Sequence, residues 1–260
     1  FRSGGAALTG NGGDVRINAA SLNLSGGSVI GTVSPLGEPG GDVRINAGTL
    51  TLEDGNIRTV AAGGDGGEVL IKGGSFLGSG GSIQSISFPN EVGNGRAGAV
   101  TIEMDDSIRG VMNQFVDAAS YGDGGLSPVS LQTKQVVLDG PDFERASGVK
   151  MIAYQGATST IAIEANEIAA PMGWVINEAR NDALMTVVDG YGSISLQGDN
   201  VSLGFMRFNT HSKNAGQTGN ITVVAANDLN FGTIDIVQEG LLLAGKGFVE
   251  SAPIGRGGDI

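Results

Sequence analysis

Gly12-Gly13-Asp14-Val15-Arg16-Ile17-Asn18-Ala19 is the stretch from which the fold can be read. It returns almost unchanged as Gly40-Gly41-Asp42-Val43-Arg44-Ile45-Asn46-Ala47, and in weaker form as Gly66-Gly67-Glu68-Val69-Leu70-Ile71-Lys72-Gly73. Gly257-Gly258-Asp259-Ile260 opens a further copy. Asp14 to Asp42 is a step of 28 residues and Asp42 to Glu68 a step of 26. A period in this range points to a solenoid, in which each repeat makes one turn and stacks on the next.

The first repeats show the grammar of a turn. Val15 and Ile17 alternate with Asp14, Arg16 and Asn18, the period-2 signature of a strand with one buried face. Ala19-Ala20-Ser21 turns the chain, Leu22-Asn23-Leu24 is a second short strand, Ser25-Gly26-Gly27 turns it again, and Val29-Ile30-Gly31-Thr32 is a third. The second repeat gives Val43/Ile45, Leu50/Leu52 and Ile57 with Thr59; the third gives Val69/Ile71, Phe76 and Ile83. Short strands separated by glycine-rich bends pair with their equivalents one turn later rather than with their own neighbours. The expected fold is therefore all-β: a right-handed parallel β-helix with three short strands per coil. Glycine is expected to supply positive-φ corners.

Later first strands are placed at Val100, Val129, Ile161, Ile194, Ile221 and Ile260. Third strands are placed at Lys150–Ala153, Trp174–Ile176, Phe205–Phe208 and Thr233–Ile236. The spacing predicts about eight coils and, at the usual separation between strands, a rod roughly 40 Å long. Residues 1–260 read as one β-helix segment, with regular repeats over 10–85 and divergent coils over 86–260. Insertions are expected at Ile86–Ala99, Glu178–Gly192 and Glu239–Gly257, on the outside of the coil stack, where solenoids build binding faces. The chain begins at Phe1 and closes inside a repeat, so an excerpt from a longer polypeptide is expected.

Composition narrows the class. Hydrophobic residues make up 40% of the chain and aromatics 5%, which fits a narrow core of Val, Ile, Leu and Ala. There are 46 glycines and no Gly-X-Y period, so collagen is excluded. A formal net charge of −12 repels phosphate backbones and anionic lipid, arguing against nucleic acid and acidic membranes as partners. No cysteine is present, which removes disulfides, cysteine-ligated zinc and cysteine nucleophiles together. No apolar run is long enough for a membrane-spanning helix.

The Gly-Gly-Asp-Val-x-Ile-Asn-Ala phrase, followed by Leu-x-Leu and Ile-x-Thr, resembles the filamentous-haemagglutinin-like exoproteins, which are large secreted bacterial adhesins. The resemblance is close over Gly10–Thr59 and extends in weaker form to Ser85. It implies a right-handed β-helix exported by two-partner secretion through an outer-membrane transporter, and held at the cell surface or released. The family's Asn-Pro-Asn-type secretion motifs have no counterpart here, where Pro89-Asn90 is the reverse order, so the segment would belong to the shaft.

Several residues invite a chemical reading. Asp14, Asp42 and Glu68 should stack into an acidic file that could hold calcium, but Arg16 and Arg44 point the same way and would neutralise it. Gly63-Gly64-Asp65-Gly66-Gly67-Glu68 approaches a calcium-binding repeat once. Asn18 and Asn46 could form an amide ladder. Asp105-Asp106 is similar to the paired aspartates of β-helical polysaccharide hydrolases, and Trp174-Val175-Ile176-Asn177 to an element of the lyases, but the accompanying basic and histidine motifs are missing. The single histidine, His211, lies in a polar loop. Asn23, Asn200 and Asn220 begin glycosylation-type triplets that read more simply as strand edges. Leu241-Leu242-Leu243 with Phe248 reads as an apolar insertion that covers the stack or meets a neighbour. Trp174 and Tyr191 could stack on sugar rings, with core burial the competing assignment for Trp174.

The expectation is a non-catalytic extracellular rod of a large adhesin or surface fibre, with no catalytic residues, no metal and no cofactor. Its expected contacts are cell-surface glycans or copies of itself. The alternatives are a self-assembling filament or sheath subunit, and a polysaccharide-active enzyme.

Overall fold

The computed structural model describes residues 2–4, 12–35, 37–90, 94–112, 115–122, 124–179, 192–209, 220–236 and 241–246. The early coils are built of paired strands: β1 (Arg2–Gly4), β2 (Val15–Ser25), β3 (Val29–Ser34), β4 (Val43–Glu53), β5 (Asn56–Ala62), β6 (Val69–Ser79) and β7 (Ser82–Phe88). The pattern continues with β8 (Val100–Val111), β9 (Phe115–Ser120), β10 (Val129–Asp139) and β11 (Ser147–Ala153). In β12 (Ile161–Ala179), β13 (Ile194–Asn209) and β14 (Ile221–Ile236) a whole coil runs as one strand, and β15 (Leu241–Lys246) is the last strand among the described residues.

Every pairing between these strands is parallel and joins a segment to its equivalent one turn later. The protein is a parallel β-solenoid. Val15, Val43, Val69, Val100, Val129, Ile161, Ile194 and Ile221 are successive register partners, seven turns in one file. All eight were expected from the sequence. The next rung differs. Ile221 pairs with Leu241, so Leu241–Leu243 is a rung of the stack and not an inserted patch. A strand edge leaves backbone donors and acceptors open, and the first run able to form a strand fills them. Ile260 and the copy around it lie outside the described residues.

Each coil has the three segments expected, but the first two are continuous. Residues 15–25 form one strand that bends after Ala19, where the paired register skips one position. Inside, three files of apolar side chains meet: Ile17, Ile45, Ile71 and Ile102 on the first segment; Leu22, Leu50, Phe76 and Ile108 on the second; Ile30, Ile57, Ile83 and Val116 on the third. All but Ile17 and Leu22, which are partly buried and pack against it, belong to one core cluster running along the stack. Burying each such side chain contributes about 1.5–3 kcal/mol.

Two kinds of glycine corner serve different purposes. At the corner after the second segment, Gly26, Asp54, Gly80 and Met112 follow the register partners Ser25, Glu53, Ser79 and Val111, and all four have positive φ, between 51° and 76°. This is the left-handed corner expected of glycine, met twice without it. The Gly-Gly of the repeat phrase is glycine for another reason. A Cβ on Gly41 would strike the carbonyls of Gly12 and Gly13, one on Gly67 the carbonyl of Gly41, and one on Gly98 that of Gly67. Close approach of stacked backbones, not left-handed φ, fixes glycine there.

Candidate functional site

The inner side of the third segment holds hydroxyls where the other segments hold hydrocarbon. Thr32, Thr59 and Ser85 are register partners and fully buried. Thr32 Oγ1 donates to the carbonyl of Gly41 at 2.6 Å, Thr59 Oγ1 to that of Gly67 at 2.7 Å, and Ser85 Oγ to the same Gly67 oxygen at 3.0 Å. Farther along, buried Asn177 donates to Ser159 O at 2.7 Å and Ser193 O at 3.3 Å. These side chains fasten the end of a coil to the corner that opens a first segment; Gly41 and Gly67 are buried corners, where a carbonyl without a donor is costly, whereas Ser193 O also accepts the amide of Ile161. Asn177, in the stretch similar to a lyase element, thus has a structural task. The signal for this clasp in the sequence is the repeated Ile-x-Thr, Ile30-Gly31-Thr32 and Ile57-Arg58-Thr59.

The acidic file forms as expected. Asp14 Oδ1 accepts the amide of Asp42 at 3.1 Å, and Asp42 Oδ1 accepts that of Glu68 at 2.9 Å. Arg16 lies 3.2 Å from Asp14, and Arg44 bridges Asp42 at 2.9 Å and Glu68 at 3.4 Å. The carboxylates are occupied by amides and guanidinium groups. Asp65, in the calcium-like phrase, likewise accepts the amide of Arg96 at 2.8 Å. Among the described residues no group of three or more potential ligands is placed to hold a metal ion.

Asn18 and Asn46 are register partners and exposed, but their file does not continue as asparagine. It runs on through Lys72, Glu103, Gln132, Glu164 and Gln197. This mixed polar file borders an axial groove at the bend between the first two segments. The larger part, about 680 Å³, is lined by Arg16, Arg44, Lys72, Glu103, Asp105, Gln132 and Lys134, among others. The smaller, about 320 Å³, shares Gln132 and Thr133 with it and continues past Glu164, Asn166, Gln197 and Asp199. Apolar residues share the lining, Ile17, Ile45, Leu70 and Met104 in the larger part and Ala165 and Val224 in the smaller.

Asp105 and Asp106 sit where β8 carries one residue more than its neighbours, a bulge between Glu103 and Ser107. Bulges of this kind re-aim side chains. Both aspartates are exposed; Asp105 lines the groove, whereas Asp106 is held by Lys134 at 3.0 Å. Lys72 and Glu103 pair across adjacent coils at 2.6 Å.

On the outer side of the third segment, Asp117 is buried. Its Oδ2 is 3.6 Å from Lys150 Nζ and accepts from Gln84 Nε2 at 3.3 Å, while Oδ1 has no hydrogen-bond partner. Burial pushes the Asp117 carboxyl above its usual range, and Lys150 and Gln84 offset part of that rise. Nearby, Phe88, Tyr121 and Tyr154 stack along the rod, with ring centroids 4.7 Å and 4.3 Å apart. Phe88 belongs to β7, so the expected insertion at Ile86–Ala99 begins only after the strand ends at Phe88. Neither Asp117 nor the aromatic stack was singled out from sequence.

Trp174 is half-buried in β12 and its ring lies over Gly148, where a Cβ would collide with it. Asn23 and Asn220 are exposed and Asn200 half-buried, all on strands or at a strand's start. His211, Tyr191, Phe248 and the bulk of the expected insertion at 178–192 lie outside the described residues, as does most of that at 239–257. Among the described residues no helix is long and apolar enough to cross a membrane. Comparison with protein-family models, curated proteins and solved structures gives no match.

Proposed function

We propose that this chain is a segment of a non-catalytic extracellular rod, the shaft of a secreted adhesin or surface fibre. The observation that carries the reading is the unbroken first-segment ladder from Val15 to Leu241, in which each coil is braced by its neighbours. Such a stack is stiff along its axis and sets one outward side chain of every coil into each file, so weak contacts made along a file add together. Contacts confined to adjacent turns also suit a chain that is exported unfolded and then folds coil by coil. The repeat phrase around Val15 and Val43 supports the same reading through its resemblance to secreted adhesins. Antibodies against the segment test it on fractionated native cells. Antigen on the surface or in the medium is expected; antigen confined to the cytosol would overturn the proposal.

The polysaccharide-active alternative draws on one observation. The groove collects Arg16, Arg44, Lys72 and Lys134 with Glu103 and Asp105, acidic and basic groups over one surface. Ion pairing of Glu103 with Lys72 weighs against a free acid–base pair. Polysaccharide cleavage by the purified chain, lost in Asp105→Asn, would establish this reading in place of the first.

A further inference from the structure

We infer that the axial groove binds a linear, uncharged polysaccharide lying along the rod. The inference deepens the extracellular reading above by giving the shaft a ligand class and a site.

Four features carry it. The first is length: the polar file spans six steps from Asn18 to Gln197, about 29 Å at the usual strand separation. That accommodates several sugar rings end to end rather than one small molecule. The second is chemistry. Asn18, Asn46, Gln132 and Gln197 are exposed amides, and an amide offers both donors and an acceptor without net charge. Sugar hydroxyls need both. The third is the repeat itself: one polar side chain arrives per rung, an amide at Asn18, Asn46, Gln132 and Gln197 and a charged group at Lys72, Glu103 and Glu164, so polar contacts recur along the direction in which a linear polymer is periodic.

The fourth is charge, which selects among polymers. In the larger cavity the cations are matched within the protein: Lys72 by Glu103 at 2.6 Å, Lys134 by Asp106 at 3.0 Å, and Arg44 by Asp42 at 2.9 Å. The smaller cavity is lined by Glu164 and Asp199 and by no lysine or arginine. A polyanion following the groove would meet those carboxylates with no lysine or arginine in the lining to offset them, in a chain of net charge −12. A neutral polyhydroxyl chain meets no such barrier.

Affinity electrophoresis of the 260-residue chain through gels containing mixed-linkage glucan, glucomannan or polygalacturonate tests this. At least one neutral glycan is expected to retard the wild type, with little change on adding salt. A groove variant, Asn46→Ala/Gln132→Ala/Gln197→Ala, should bind roughly ten-fold more weakly or worse, from the loss of three hydrogen-bonding groups. A control variant on the second segment, Asn23→Ala/Ser202→Ala/Asn230→Ala, should bind as the wild type does; circular dichroism confirms that both remain folded. No retardation by any of the three polymers, or equal retardation of wild type and groove variant, would overturn the inference. Retardation by polygalacturonate alone, weakened by salt, would overturn it too and assign the larger cavity to a polyanion. Glycan binding by a protein confined to the cytosol would sink the extracellular reading and leave the groove standing. A surface protein that ignored every glycan would do the reverse.

Discussion

Thr59 Oγ1 donates a 2.7 Å hydrogen bond to the carbonyl of Gly67, joining the end of one coil to the corner that opens the next. The same oxygen accepts Ser85 Oγ at 3.0 Å, from one coil farther on. All of this is in the interior, where a carbonyl without a donor is costly. The clasp links the closure of a coil to the stacking of its neighbour.

Because Gly67 O has two donors, single losses should be mild and a joint loss severe. Thr59→Val and Ser85→Ala are each expected to cost about 1 kcal/mol. The double variant should exceed their sum by about 1 kcal/mol, as the carbonyl loses its last side-chain donor. Urea denaturation of the four proteins measures the coupling, and strict additivity would argue against the shared clasp.

The two kinds of glycine corner should respond differently to alanine. Gly27 has φ of 76° and nothing within 4 Å of an added Cβ. Gly27→Ala is therefore expected to cost about 1–2 kcal/mol, from backbone conformation alone. At Gly67 the Cβ meets the Gly41 carbonyl of the adjacent coil, and neither backbone can yield without breaking the ladder. Gly67→Ala should cost about 3 kcal/mol or more. Equal thermal shifts would show that crowding at the repeat phrase is unimportant.

Met112 occupies the left-handed corner at φ 51° and is 49% exposed, so it has little packing to lose. Met112→Gly should stabilise the fold by about 0.5–1 kcal/mol, the relief of strain less the entropy of glycine. Asp54→Gly at the equivalent corner should gain less, since aspartate tolerates this conformation better. Denaturation midpoints decide both.

Asp117 gives the fold a pH dependence of defined sign. Its folded-state pKa is raised above the ordinary 3.8 by burial, so folding favours the protonated form. Its contribution to stability is full below the unfolded value and is lost as pH rises through the folded one. Asp117→Asn should abolish that fall, making the variant relatively more stable than wild type at pH 7 than at pH 4. Lys150→Met removes the neighbouring cation and should deepen the fall at neutral pH. Unfolding curves across this range test both; parallel pH profiles for wild type and Asp117→Asn would refute the assignment.

Much of this protein was written in its repeats. Val15, Val43 and Val69 share a file because identical phrases at a near-constant step can satisfy their backbones only by stacking in register, and alternation fixes which side chains turn inward. The same logic located the first strands of divergent coils as far as Ile221, and it set Arg16 and Arg44 beside their carboxylates. It failed at Leu241, where an apolar run read as an insertion supplies the next rung.

What tertiary structure alone decided lies across coils whose outward residues do not repeat. Glu103, Gln132 and Glu164 share no phrase, yet the bend after the first segment lines them along one groove. Asp117 becomes buried beside Lys150, 33 residues on, for the same reason. Inward positions are constrained by a shared core and so leave a period in the sequence. Outward positions are free to vary, and their neighbours are set by the stacking of coils, which no single repeat encodes.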